Sequence, residues 1–163
     1  MLIGKGPPGG IISLTAAPWR VDIAVNRADF QHLADVRIAE AHTLLTLPTP
    51  MPDGAYYLAG YAVECALKAC IAKMYGPEQW PEKQFVADCH THEILKLVRL
   101  DRLEGARIAD TAANPNLARN WNIVKDWSEQ SRYERHSLAM AQRLYEAITH
   151  ATDGVLPWIK ARW

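Results

Sequence analysis

The chain has 163 residues, 49% of them apolar and 22% charged, with no formal net charge. That length suits one compact domain with a modest tail, and the composition is ordinary for a soluble globular protein. Neutrality excludes the global basic field that announces a nucleic-acid binder, though not a local basic patch, and no apolar run approaches the roughly eighteen residues of a membrane span.

Residues 1–25 contain Pro7, Pro8, Pro18 and a cluster of glycines, without a continuous apolar core ahead of a small-residue cleavage site. This argues against a signal peptide. A flexible or strand-like leader is expected, or a start codon placed too early. Ile11–Leu14 and Val21–Val25 are the only stretches with a strand-like pattern.

A helical bundle is expected over residues 26–152. From Arg27 to about Thr46, Phe30, Ala34, Ile38, Ala41 and Leu45 recur at helical spacing. Pro48, Pro50 and Pro52 end that helix. Asp53 is the expected N-cap of a second long helix, which closes near Gly76-Pro77 and pairs with the first as an antiparallel hairpin.

This second helix is apolar enough to be buried, yet Tyr57, Tyr61, Glu64 and Lys68 fall on one stripe of it. A carboxylate in such a setting needs a cationic partner. Arg132, in the run Trp127 to His136, is the expected one, because a guanidinium suits a bidentate, partly buried carboxylate contact.

Thr91 is read as the cap of a short helix carrying Ile94, Leu95, Leu97 and Val98. His90 and His92 beside Cys89 invite a metal reading, but no third and fourth ligand is evident, so capping is favoured. A further short helix is expected over Leu103–Ala112, and Asn114-Pro115 reads as a cap followed by proline at the first helical position. The last long helix is expected from about Glu134 to His150, with Leu138, Ala141, Tyr145 and Ile148 on one face. Residues 153–163 form a tail that packs on the bundle or on a dimer partner.

Cys65, Cys70 and Cys89 are an odd number without zinc-ribbon spacing, and read as reduced thiols of a cytoplasmic protein. The tryptophans are expected to fill the core or a dimer seam, and Lys68, Lys73, Arg99 and Arg102 to be solvated charge. Nothing in the chain calls for a metal or another cofactor. The fold class is all-α, an up-and-down antiparallel bundle with short helices inserted between its second and last long ones.

Three motifs in order carry a family resemblance. The run from Tyr56 to Ala69 resembles the second-helix signature of HEPN domains (higher eukaryotes and prokaryotes nucleotide-binding domains). The run from Thr91 to Leu97 is similar to that family's short His-x-Leu-x-x-Leu helix, and Trp127 to Tyr133 to its entry into the last helix. The resemblance covers roughly residues 28–151.

It implies a prokaryotic helical bundle that dimerises, often encoded beside a minimal nucleotidyltransferase as a toxin–antitoxin pair. Many members cleave RNA without metal through an Arg and a His with four to six residues between them, while others bind RNA, nucleotides or proteins. Metal-free cleavage needs an acid, a base and a cation at the phosphorane. Arg132 and His136 stand at about the family's place, with three residues between them instead of four to six. Arg27/His32, Arg37/His42 and Arg143/His150 have the spacing but not the place. The expectation is binding of RNA, a nucleotide or a nucleotidyltransferase through Tyr57, Tyr61, Glu64, Lys68, Arg132 and Tyr133. The alternatives are a ribonuclease toxin using Arg132 and His136, and a ligand-free interaction module.

Overall fold

The computed structural model describes residues 25–76 and 79–163, and within them the fold is all-helical. Ile11–Leu14 and all but the last residue of Val21–Val25 lie outside the described residues.

Helix α1 spans Arg27–Thr46 and begins on a capping box. The Asn26 carboxamide oxygen accepts from the Ala28 and Asp29 amides at 2.8 and 3.2 Å, and the Asp29 carboxylate accepts from the Asn26 amide at 2.9 Å. Ala34 and Ala41 are fully buried, so α1 lies close against its neighbour, while Phe30, Ile38 and Leu45 border the seam.

That neighbour is α2, Pro52–Lys73, the central helix of the molecule. It starts with proline in its first turn and Met51 as N-cap, so Asp53 sits inside the helix instead of capping it. The Asp53 carboxylate instead accepts the backbone amide of His136 at 2.6 Å. An anion in the first turn suits the positive end of the helix, and here it also anchors a distant segment.

Helices α3 (Lys83–Cys89) and α4 (Ile94–Leu100) follow, and α4 packs on α2 through Ile94, Leu97 and Val98. Thr91 does not cap α4, whose N-cap is Glu93; its hydroxyl accepts the Glu93 amide at 3.2 Å. Helix α5 is Glu104–Ala113 and α6 is Pro115–Val124. The Asn114 cap is as expected, accepting from the amides of Asn116 and Leu117 at 3.1 Å each.

A 3-10 turn, Glu129–Tyr133, then lies against α2, with Ser131 buried beneath it. Trp127, 2% exposed, docks just before the turn. It does so because Gly60 leaves room: a Cβ at that position would lie 2.3 Å from the indole ring.

The last long helix, α7, is Leu138–Thr149 and starts later than the periodicity suggests. Glu134 is extended, and the Ser137 hydroxyl caps α7 by accepting the Met140 amide at 3.2 Å. Its inner face is Ala141, Leu144, Ala147 and Ile148, whereas Leu138 is exposed.

The terminal segment is more than a tail. Helix α8, Val155–Lys160, buries Val155, Leu156, Trp158 and Ile159 against α2, α6 and α7. Asp110 fixes its end, accepting from the Trp158 indole at 2.8 Å and from Arg162 at 2.6 Å. Trp121 and Trp127 fill the core, whereas Trp80 is 97% exposed. None of the helices in the described residues is long and apolar enough to cross a membrane.

Candidate functional site

The stripe on α2 forms as its spacing requires. The Tyr57 and Tyr61 rings lie parallel with centroids 6.0 Å apart, and Tyr57 is the same distance from the Trp127 ring. Burial pushes the Tyr61 phenol up to about 12, helped by Cys65 and Glu64, so it stays a protonated donor. Cys65 likewise rises to about 11 through burial and the Glu64 charge, which leaves an inert thiol.

Glu64 is 1% exposed. Its first cation comes from its own helix, Lys68 Nζ at 2.8 Å in an i, i+4 pair, so Lys68 is not the solvated charge expected from the sequence. Its second partner is His92, whose Nδ1 lies 3.0 Å from both carboxylate oxygens. Arg132 does not fill that role. Its guanidinium lies 3.7 Å from Glu129, one turn back on the 3-10 element. Glu129 in turn lies 3.0 Å from His92 Nε2.

The Glu64–Arg132 pairing expected from the sequence is therefore replaced by a chain that runs Glu64, His92, Glu129, Arg132. The reason is geometric. The short segment before α4 places an imidazole next to Glu64, and the 3-10 winding turns Arg132 outward, leaving its side chain 42% exposed.

The guanidinium carbon sits 4.9 Å from the centroid of the Tyr133 ring, and Tyr133 is 75% exposed. An outward-facing cation–aromatic pair thus caps the chain. Beside it, Thr91, His92, Glu93, Ser128, Glu129 and Gln130 line a groove of about 330 Å³.

His136 stands elsewhere. Its backbone is held by Asp53, and its ring stacks on Tyr56 with centroids 3.7 Å apart and planes 11° from parallel. The side chain is 4% exposed, with Glu134 3.8 Å from Nε2. Neither ring nitrogen has a hydrogen-bond partner among the described residues. Because the 3-10 turn ends at Tyr133 and α7 begins at Leu138, Arg132 and His136 do not share a helix face.

Tyr57, Tyr61, Glu64 and Lys68 are thus on one face of α2, and Arg132 and Tyr133 join it through His92 and Glu129. The last two were missed as site residues. His92 was singled out in the Thr91-His92 motif and as a metal candidate beside His90 and Cys89, but neither signal pointed to Glu64, and Glu129 gave none. Among protein families, characterised proteins and solved structures, nothing matches this chain.

Proposed function

We propose that this chain is a HEPN-like helical module that binds single-stranded RNA or a nucleotide across the face formed by the 3-10 turn, the segment before α4 and the outer stripe of α2. The observation that carries the reading is Arg132 lying over the exposed Tyr133 ring. An exposed ring offers a base a stacking surface, and base–aromatic stacking contributes about 1–3 kcal/mol per base. The adjacent guanidinium is suited to a phosphate oxygen. The charged chain behind the platform, rooted in the buried Glu64, holds the 3-10 turn to α2, so the platform does not have to be ordered on binding.

Anisotropy of a fluorescein-labelled oligouridylate tests this directly. Arg132→Ala and Tyr133→Ala should each weaken binding about tenfold, with helicity unchanged. Wild-type affinity in both variants would contradict the reading. Under it the oligonucleotide stays intact. Metal-independent cleavage, lost in His136→Ala, would instead assign Arg132 and His136 to catalysis as a ribonuclease toxin. That chemistry requires the imidazole to leave its stack on Tyr56. Growth arrest by the protein expressed alone, relieved by His136→Ala, is the cellular form of the same test.

A protein partner is supported by a different observation. Leu47, Met51, Leu138 and Met140 are all exposed, and the Asp53–His136 contact brings the α1–α2 turn and the start of α7 to the same end of the bundle. A homodimer or a complex with a minimal nucleotidyltransferase would cover these side chains. Light scattering of the purified protein separates the two, since only the homodimer forms without an added partner.

A further inference from the structure

The two ring nitrogens of His92 face carboxylates on opposite sides, Glu64 at 3.0 Å and Glu129 at 3.0 Å. An ionised carboxylate only accepts hydrogen bonds, whereas a neutral imidazole offers one donor and one acceptor. The neutral ring would therefore point a lone pair at an oxygen at hydrogen-bonding distance. The imidazolium donates to Glu64 through Nδ1 and sets its positive charge against Glu129 at Nε2 as an ion pair. Each carboxylate also has a second cation beside it, Lys68 at 2.8 Å from Glu64 and Arg132 at 3.7 Å from Glu129.

The remaining ionisable neighbours do not alter this balance. On α2 the Tyr61 phenol and Cys65 thiol are held protonated. On the segment of His92 itself, His90 and Glu93 are exposed.

We propose that protonation of His92 gates anion binding at the Arg132–Tyr133 platform, an inference that rests on the nucleotide-binding reading above. With the imidazolium in place, Glu129 is engaged by His92, and Lys68, His92 and Arg132 outnumber the two carboxylates. Arg132 then meets an incoming phosphate. When His92 loses a proton, the remaining N–H stays on Nδ1 with the buried Glu64, and the charge that held Glu129 at Nε2 is gone. Glu129 lies on the same turn as Arg132 and closes on it as a full ion pair, and the cluster loses its net positive charge.

The tie between α2 and the 3-10 turn is thus present with the imidazolium and lost with its proton, and anion affinity falls with it. The His92 side chain is 41% exposed, so the proton exchanges without unfolding.

Two readouts on the full chain test the gate. In the first, anisotropy with labelled oligouridylate at constant ionic strength is followed from about pH 6 to about pH 8; wild-type affinity should fall about fivefold beyond any change in His92→Gln, whose amide cannot titrate. Parallel profiles for the two proteins would overturn the gate.

The second readout needs no ligand. Amide-exchange protection of residues 128–133, corrected for intrinsic exchange, should drop over the same range in wild type and stay level in His92→Gln. Protection in wild type that is independent of pH would also overturn the gate. Absence of RNA binding at every pH would remove the nucleotide-binding reading, and the exchange result would still decide whether His92 acts as a proton-controlled tie.

Discussion

Two buried carboxylates, each at the edge of the helical core, show opposite solutions to the same problem. Glu64 is 1% exposed and meets Lys68 and His92. Asp101, at the end of α4, is 7% exposed, and neither of its oxygens has a partner among the described residues. Burial alone pushes the Asp101 carboxyl up to about 8, so near neutral pH it is held mostly uncharged. The region around Glu64 stabilises a charge with other charges, and those charges extend outward to an exposed platform. The region around Asp101 removes the charge, and although Asp101 lines a hollow of about 640 Å³ with Arg102 and Trp80, no ion pair leads outward from it among the described residues. A charged network that reaches the surface is where a ligand is to be sought.

The comparison is broken most severely by removing a partner of Glu64. Lys68→Met leaves a buried carboxylate with His92 alone and should cost about 3 kcal/mol of stability, read from chemical denaturation near neutral pH. A loss below about 0.5 kcal/mol would mean that the pair behaves like an exposed one.

Asp101→Asn should act in the opposite direction. The folded carboxyl ionises near 8 and the unfolded one near the ordinary carboxylate value, so the wild-type protein loses stability as pH rises between those values and levels off above the upper one. The variant lacks this slope. Its advantage should grow by on the order of 2 kcal/mol from about pH 6 to about pH 8, measured as the difference between two denaturation series. Parallel series would show that Asp101 has a partner after all.

Gly60→Ala sharpens the contrast between packing and charge. The added Cβ would meet the Trp127 ring at 2.3 Å, so the indole must move, at about 2 kcal/mol, and Trp127 fluorescence should shift to longer wavelength. Because Trp127 leads into the 3-10 turn, ligand affinity should fall with it. The smallest effect belongs to Arg132→Ala on stability. Its partner is a half-exposed neighbour on the same turn, so the change should stay below about 0.5 kcal/mol while RNA affinity drops.

Helical periodicity made the α1–α2 hairpin legible, and the proline-rich turn fixed where it reverses. Asn114-Pro115 was legible because a cap and a first-turn proline act locally. The start of α7 was not. Residues 134–137 carry no helix-breaking signal, yet Asp53 takes the His136 amide from 83 positions away and Ser137 supplies the cap. Tertiary anchoring overrode local pattern there.

Within the site, the common stripe of Glu64 and Lys68 was legible, but their ion pair was not, since Lys68 read as solvated charge. The need of Glu64 for a further partner was also legible, but the partner's identity was not. Arg132 was the chemically stronger candidate, and His92, 28 residues from Glu64, fills the position because α4 packs directly on α2. Spacing along one helix is written locally, whereas contacts between helices depend on packing that no short window contains.

The central claim is that His92 and Arg132 belong to one connected site although they do not touch. A double-mutant cycle on oligouridylate affinity, with His92→Gln, Arg132→Ala and the combined variant near pH 6, measures that connection. The account predicts a coupling of about 1 kcal/mol, because Glu129 joins the two side chains. Effects that add within about 0.3 kcal/mol would contradict it, leaving two independent residues on a helical surface.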